Sequence, residues 1–141
     1  MLTGMKHLHS TLAVILLVAL VISIVITAVN YFKANPYNRK IALLGLISAH
    51  LQMVIGIIYY FSLKYHTMFS SGVMKNPDMR LKLIEHPLTM LIGIVLITIG
   101  YSKAKRATES YAANRTVFIM YTIGLILVLS RLPWSTWSLI N

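Results

Sequence analysis

The sequence has no cysteine. Disulfides, zinc ribbons, iron–sulfur clusters, a catalytic thiol and covalent haem attachment through Cys-x-x-Cys-His are therefore excluded. Any metal or cofactor must be held by histidine, methionine, carboxylate or backbone groups. Acids are nearly as scarce: Asp78, Glu85 and Glu109 are the only 3 in 141 residues. They form no paired-carboxylate or Ser/His/Asp arrangement, and glycine-rich phosphate loops are missing. A hydrolase or nucleotide enzyme has no support. Charge of either sign makes up 11% of the chain, against about a quarter in a soluble domain. No internal repeat, low-complexity tract or second domain is visible.

What is present is apolar, 57% of residues, in four long runs: Thr11–Asn30, Ile41–Leu63, Pro87–Tyr101 and Val117–Leu132. A helix needs roughly 20 residues to cross about 30 Å of hydrocarbon. The first two runs meet this alone. The third is short, so the helix is extended back to Asp78 as its N-cap. The segment from Met79 to His86 then forms an amphipathic entry, with a kink expected at Pro87. The first run is longer than the apolar core of a signal peptide and no Ala-x-Ala site follows, so a retained helix is expected. The expected fold is all-α, an integral membrane four-helix up-down bundle. It is a single transmembrane domain with helices near 5–30, 41–64, 78–102 and 115–137.

The net charge of +10 does not point to nucleic acid, because the basic residues fall between apolar runs rather than on one solvated face. Lys33, Arg39, Lys40, Lys103, Lys105, Arg106 and Arg115 crowd the first and third connections. Lys6, Lys64, Lys75, Arg80, Lys82 and Arg131 belong to the opposite side. The density of charge in the two short loops predicts a cytoplasmic location for them and places both termini outside. Tyr59, Tyr60, Tyr65, Trp134 and Trp137 form an aromatic belt at the outer boundary.

Of five histidines, His9, His50 and His86 fall within or at the edge of apolar spans. An ionisable group at such depth is costly and is read as functional, although a neutral imidazole can also serve helix packing. His9 lies about 10 Å along its helix and His86 about 12 Å from Asp78, so the two share a level. Their helices are diagonal neighbours in an up-down bundle, a geometry in which two imidazoles can hold one haem iron. His9 shares a helical stripe with Ala13, Leu16, Leu20 and Ser23, and His86 shares one with Met90, Gly93, Ile97 and Gly100. Small residues there leave room for a macrocycle or, equally, for close helix packing. His7 and His66 are read as interfacial or solvated.

His50 has several readings. It pairs with His86 if the helices tilt, binds a second haem alone or with Met90, or only donates a hydrogen bond. Gln52 faces away from it and is expected to bond between helices. Glu85 and Arg131, the latter read as lying about 10 Å inside the fourth helix, sit near the haem level. Arg131 either pairs with Glu85, clamps a haem propionate, or snorkels to the interface.

Leu8-His9-Ser10, His50-Leu51-Gln52 with Gly56 and Tyr59-Tyr60-Phe61, Glu85-His86, Ile99-Gly100-Tyr101-Ser102-Lys103 and Pro133-Trp134 occur in this order. As a set they resemble small bacterial four-helix membrane proteins of the cytochrome-b-like family, over nearly the whole chain. The resemblance implies a bacterial inner membrane location and His9, His50 and His86 as haem contacts. The fourth helix lacks the histidine found in two-haem cytochromes of this general shape.

The leading expectation is a b-type cytochrome binding haem b, one rather than two. It would pass single electrons with a quinol or within a larger redox complex or homo-oligomer, as a carrier rather than a stand-alone enzyme. A cofactor-free membrane subunit or assembly factor with structural histidines is the alternative. A third reading is copper or another metal on the outer side, where Met1, Met5, His7, His9, His66, Met68, Met74 and Met79 offer soft and imidazole ligands.

Overall fold

The computed structural model describes residues 2–137, and within them the regular structure is all helical, with no strand. Four helices are long and apolar enough to cross a membrane: α1 (Leu2–Phe32), α2 (Arg39–Ser62), α3 (Pro77–Arg106) and α4 (Ser110–Ser130). α1 packs on α2 and α4, and α3 packs on the same two, so α1 and α3 are diagonal. Contacts fix the directions. Gln52 meets His9 while Ile41 meets Ser23, and Tyr60 meets Leu83 while His50 meets Thr98. Each neighbouring pair so joined is antiparallel, which gives an up-down bundle.

The helices are apolar on every face, and only one stripe of each is buried. On α2 the stripe is Ala42, Gly45, Ala49 and Gln52, at alternating spacings of three and four. On α4 it is Ala113, Val117, Tyr121, Gly124 and Val128. Such stripes set a bundle seam, and small residues let the backbones approach. Outside the seams lie Val18, Val25, Ile47, Val54, Val95 and Ile126, all exposed. Contiguous exposed apolar surface on this scale is unsuited to water. The buried polar groups are mostly satisfied: Tyr121 donates to the Ala42 carbonyl (2.7 Å), and Ser23 bonds the Ala19 and Ile41 carbonyls (2.9 and 2.8 Å).

Several boundaries differ from expectation. Asn76, not Asp78, caps α3: its side chain accepts from the amides of Asp78 and Met79, and Pro77 fills the first turn, where its missing N–H costs nothing. The fourth helix begins at Ser110 and stops at Ser130, so residues 131–137 lie beyond it. Arg131 is consequently the C-cap of α4, not a residue inside the helix, because Pro133 cannot continue the run. The expected irregularity at Pro87 takes the form of a π turn over Leu81–Glu85, in which the His86 amide bonds the Leu81 carbonyl. A proline ring crowds the carbonyl four residues before it, and widening the turn relieves that clash.

Candidate functional site

Pro87 has no N–H to give Leu83, a residue only 2% exposed, whose carbonyl would otherwise stand without its usual helical donor. Tyr60 of α2 supplies the missing hydrogen, its hydroxyl donating to that carbonyl at 2.8 Å. The π turn and this cross-helix bond together set the rotation at which His86 leaves α3. His86 then donates from Nδ1 to the carbonyl of Arg131 at 2.9 Å. That bond selects the tautomer whose Nε2 carries the free lone pair, the form a metal ligand needs.

His9 reaches the same point from the diagonal helix. The centroids of the His9 and His86 rings are 6.3 Å apart, with planes at 83°. Tyr59 stacks on His9 at 5.7 Å and 13°. Gly56 makes space for the imidazole: a Cβ there would lie 3.2 Å from His9 Cε1. Gln52 bonds the His9 carbonyl at 2.8 Å and fixes α1 against α2, as expected of an interhelical amide. His9 Nδ1 is buried and has no hydrogen-bond partner. That nitrogen lies on the side of Gly56, 3.7 Å from where a Cβ there would stand, while the ring meets His86 edge-on.

Glu85 stands between two cations, 2.9 Å from Arg80 Nε and 3.8 Å from Arg131 Nε. Of the alternatives for Arg131, pairing with Glu85 is present, and nearly half of its side chain still faces outward. Tyr65, in the connection between α2 and α3, packs on Tyr60 at 5.4 Å. Burial first, and the Asp78 carboxylate second, push its phenol above the ordinary value.

The other candidates stand apart. His50 is exposed, with Nδ1 donating to the Leu46 carbonyl and Nε2 3.4 Å from Thr98 Oγ1. It lies six residues, about 9 Å, before Gly56 on α2 and joins neither His9 nor His86. His7 and His66 are exposed, the latter against Phe61 at 4.8 Å. Met1 of the soft-ligand set lies outside the described residues, and Met68 and Met74 are exposed. Among the described residues no three His, Cys, Asp or Glu side chains stand close enough together to hold a metal ion. The glycine face of α3 is occupied by α4: a Cβ on Gly93 would lie 3.3 Å from the Gly124 carbonyl, and one on Gly100 would lie 2.7 Å from Met120 Cβ.

Tyr59, Tyr60, Gly56 and Arg80 are the site residues that sequence reasoning did not assign. The proline rule alone predicts an unpaired Leu83 carbonyl, so a donor could have been sought. Nothing local identifies Tyr60 as that donor, or the Arg131 carbonyl as the partner of His86.

No protein-family model, no curated protein and no solved structure matches this chain.

Proposed function

We propose that this chain is a multi-pass, membrane-embedded b-type cytochrome, carrying single electrons through one haem b held between α1 and α3 by His9 and His86. The observation that carries the proposal is the meeting of two imidazoles from diagonal helices, 6.3 Å between centroids with planes at 83°. Two imidazoles that clasp one metal stand with centroids about 6 Å apart, from two bonds of about 2 Å and half a ring at each end. A site built from protein ligands alone would need more donors than this pair. Haem would ask for only two imidazoles from the protein, because the macrocycle supplies the other donors, and this favours haem over copper.

Bound haem supplies one-electron chemistry. The chain's own residues bind, orient and insulate it. His86 offers Nε2 while the Arg131 carbonyl holds Nδ1. Tyr59 and Gly56 steer the His9 ring. The Arg131 guanidinium, shared with Glu85, is suited to a propionate. His50 has no part in this reading. The loop charges and the family resemblance support a bacterial inner membrane with both termini outside, and a quinol or a redox-complex partner as the electron source.

One observation favours the cofactor-free reading: α4 already fills the glycine face of α3, and His86 is already hydrogen-bonded. A reduced-minus-oxidised visible spectrum of the detergent-purified full chain, with haem and protein quantified together, separates the two. One haem per chain with a low-spin spectrum is expected. Protein with no Soret band despite ample haem supply would overturn the cytochrome reading.

A further inference from the structure

The three ion pairs among the described residues, Arg80–Glu85, Lys82–Asp78 and Arg131–Glu85, are all at the histidine end of the bundle. At the opposite rim stand Lys33, Arg39, Lys40, Lys103, Lys105, Arg106 and Arg115, with Glu109 the one acid and in no ion pair. Among the described residues that rim is a positive collar with no ion pair in it. A notch of about 240 Å³ opens in it on α3, lined by Thr98, Ile99, Ser102, Lys103 and Arg106. Thr98, Ser102 and Arg106 are four residues apart and share one helix face; the Thr98 hydroxyl already donates to the Ile94 carbonyl at 2.7 Å, so Ser102 and Arg106 are the donors along the notch. The contact of Thr98 with His50 puts α2 on its flank. Lys103 and Arg106 are exposed and make neither an ion pair nor a hydrogen bond among the described residues.

From the lower lip of the notch a second pattern runs towards the bundle's middle. Ile99, Val95, Ile92 and Leu88, spaced four, three and four apart, form one exposed apolar stripe. A cationic, hydroxyl-lined notch that continues into an apolar track matches a molecule with a phosphate at one end and hydrocarbon at the other. A free anion would use the notch alone.

We propose that this notch binds the phosphate of an anionic phospholipid, with Lys103 and Arg106 on the headgroup and an acyl chain along Ile99, Val95, Ile92 and Leu88. The inference rests on the membrane-spanning part of the function proposed above and is independent of haem. Basic pockets between helices on the side of the short basic loops are suited to such headgroups.

The test titrates the detergent-purified full chain with phosphatidylglycerol, phosphatidylcholine or inorganic phosphate, reading bound lipid and thermal midpoint. Phosphatidylglycerol should bind at least about tenfold tighter than phosphatidylcholine. Each basic residue near a lipid headgroup contributes about fivefold, so the double variant Lys103→Gln/Arg106→Gln should lose about thirtyfold. Lys33→Gln/Arg115→Gln removes the same charge from the same rim outside the notch, and should lose clearly less. Ser102→Ala should weaken binding without changing net charge. Equal affinity for the two lipids, an equal loss in the control pair, or full competition by inorganic phosphate would each overturn the proposal. Failure of the membrane reading is separately visible, as a chain that stays folded in aqueous buffer without detergent.

Discussion

The hydroxyl of Tyr60 donates to the carbonyl of Leu83 at 2.8 Å, the carbonyl that Pro87 leaves without its helical partner. α2 thereby completes the backbone of α3 two residues before the Glu85–His86 pair. The Tyr60 hydroxyl is the donor the structure supplies in place of the missing amide. Tyr60→Phe should therefore destabilise the chain by about 1–3 kcal/mol, the cost of an unsatisfied buried acceptor. In a Pro87→Ala background the amide returns and the same substitution should cost much less. Denaturation in detergent across this double-mutant cycle measures the coupling, and additive effects would refute the link.

The histidines are not equivalent. His86→Ala should abolish low-spin haem absorbance and His9→Ala should damage it severely, while His50→Ala should leave the spectrum unchanged, because His50 turns outward to Thr98. Spectra of the three purified variants check this. A larger loss from His50→Ala than from His9→Ala would move the haem onto α2.

Arg131 caps α4 with its side chain beside Glu85. If its guanidinium also takes a propionate, Arg131→Leu removes a positive charge near the iron and disfavours the reduced state. The haem midpoint potential should fall in a redox titration. An unchanged potential would assign the side chain to the interface alone.

The seam between α3 and α4 leaves no room at Gly100, where an added Cβ would stand 2.7 Å from Met120 Cβ. Gly100→Ala should cost about 1–3 kcal/mol by forcing the helices apart. Gly4, with nothing within 4 Å of its position, is the control: Gly4→Ala should be neutral or slightly stabilising. Thermal midpoints in one detergent compare the two.

Ala34 follows α1 with φ at 56°, in the left-handed region. Asn35 N bonds the Asn30 carbonyl at 2.8 Å and Ala34 N bonds the Tyr31 carbonyl at 3.3 Å, the two bonds of a Schellman ending. Glycine is the residue such a position favours. Ala34→Gly should stabilise the chain by about 0.5–1 kcal/mol, seen as a raised thermal midpoint.

The sequence by itself determined the four apolar helices, their up-down order and the shared level of His9 and His86. Hydropathy, helical rise and chain direction are local quantities, and they add along the chain without knowledge of contacts. Boundaries were less legible. Asp78 and Asn76 are both good caps, and only the backbone angles chose Asn76. The fourth helix read as continuing to the tryptophans because apolar residues persist past the point where Pro133 stops it.

The tertiary structure alone decided which small residues leave space and which close it. Gly56 accommodates the His9 ring, whereas Gly93 and Gly100 are spent on α4, and one residue type served both ends. It also decided that His50 faces outward, and that Tyr60 and the Arg131 carbonyl hold the His86 segment. These outcomes depend on the rotation of each helix about its own axis. In a helix apolar on every face that rotation is set by packing against neighbours, and the sequence pattern of one helix does not encode it.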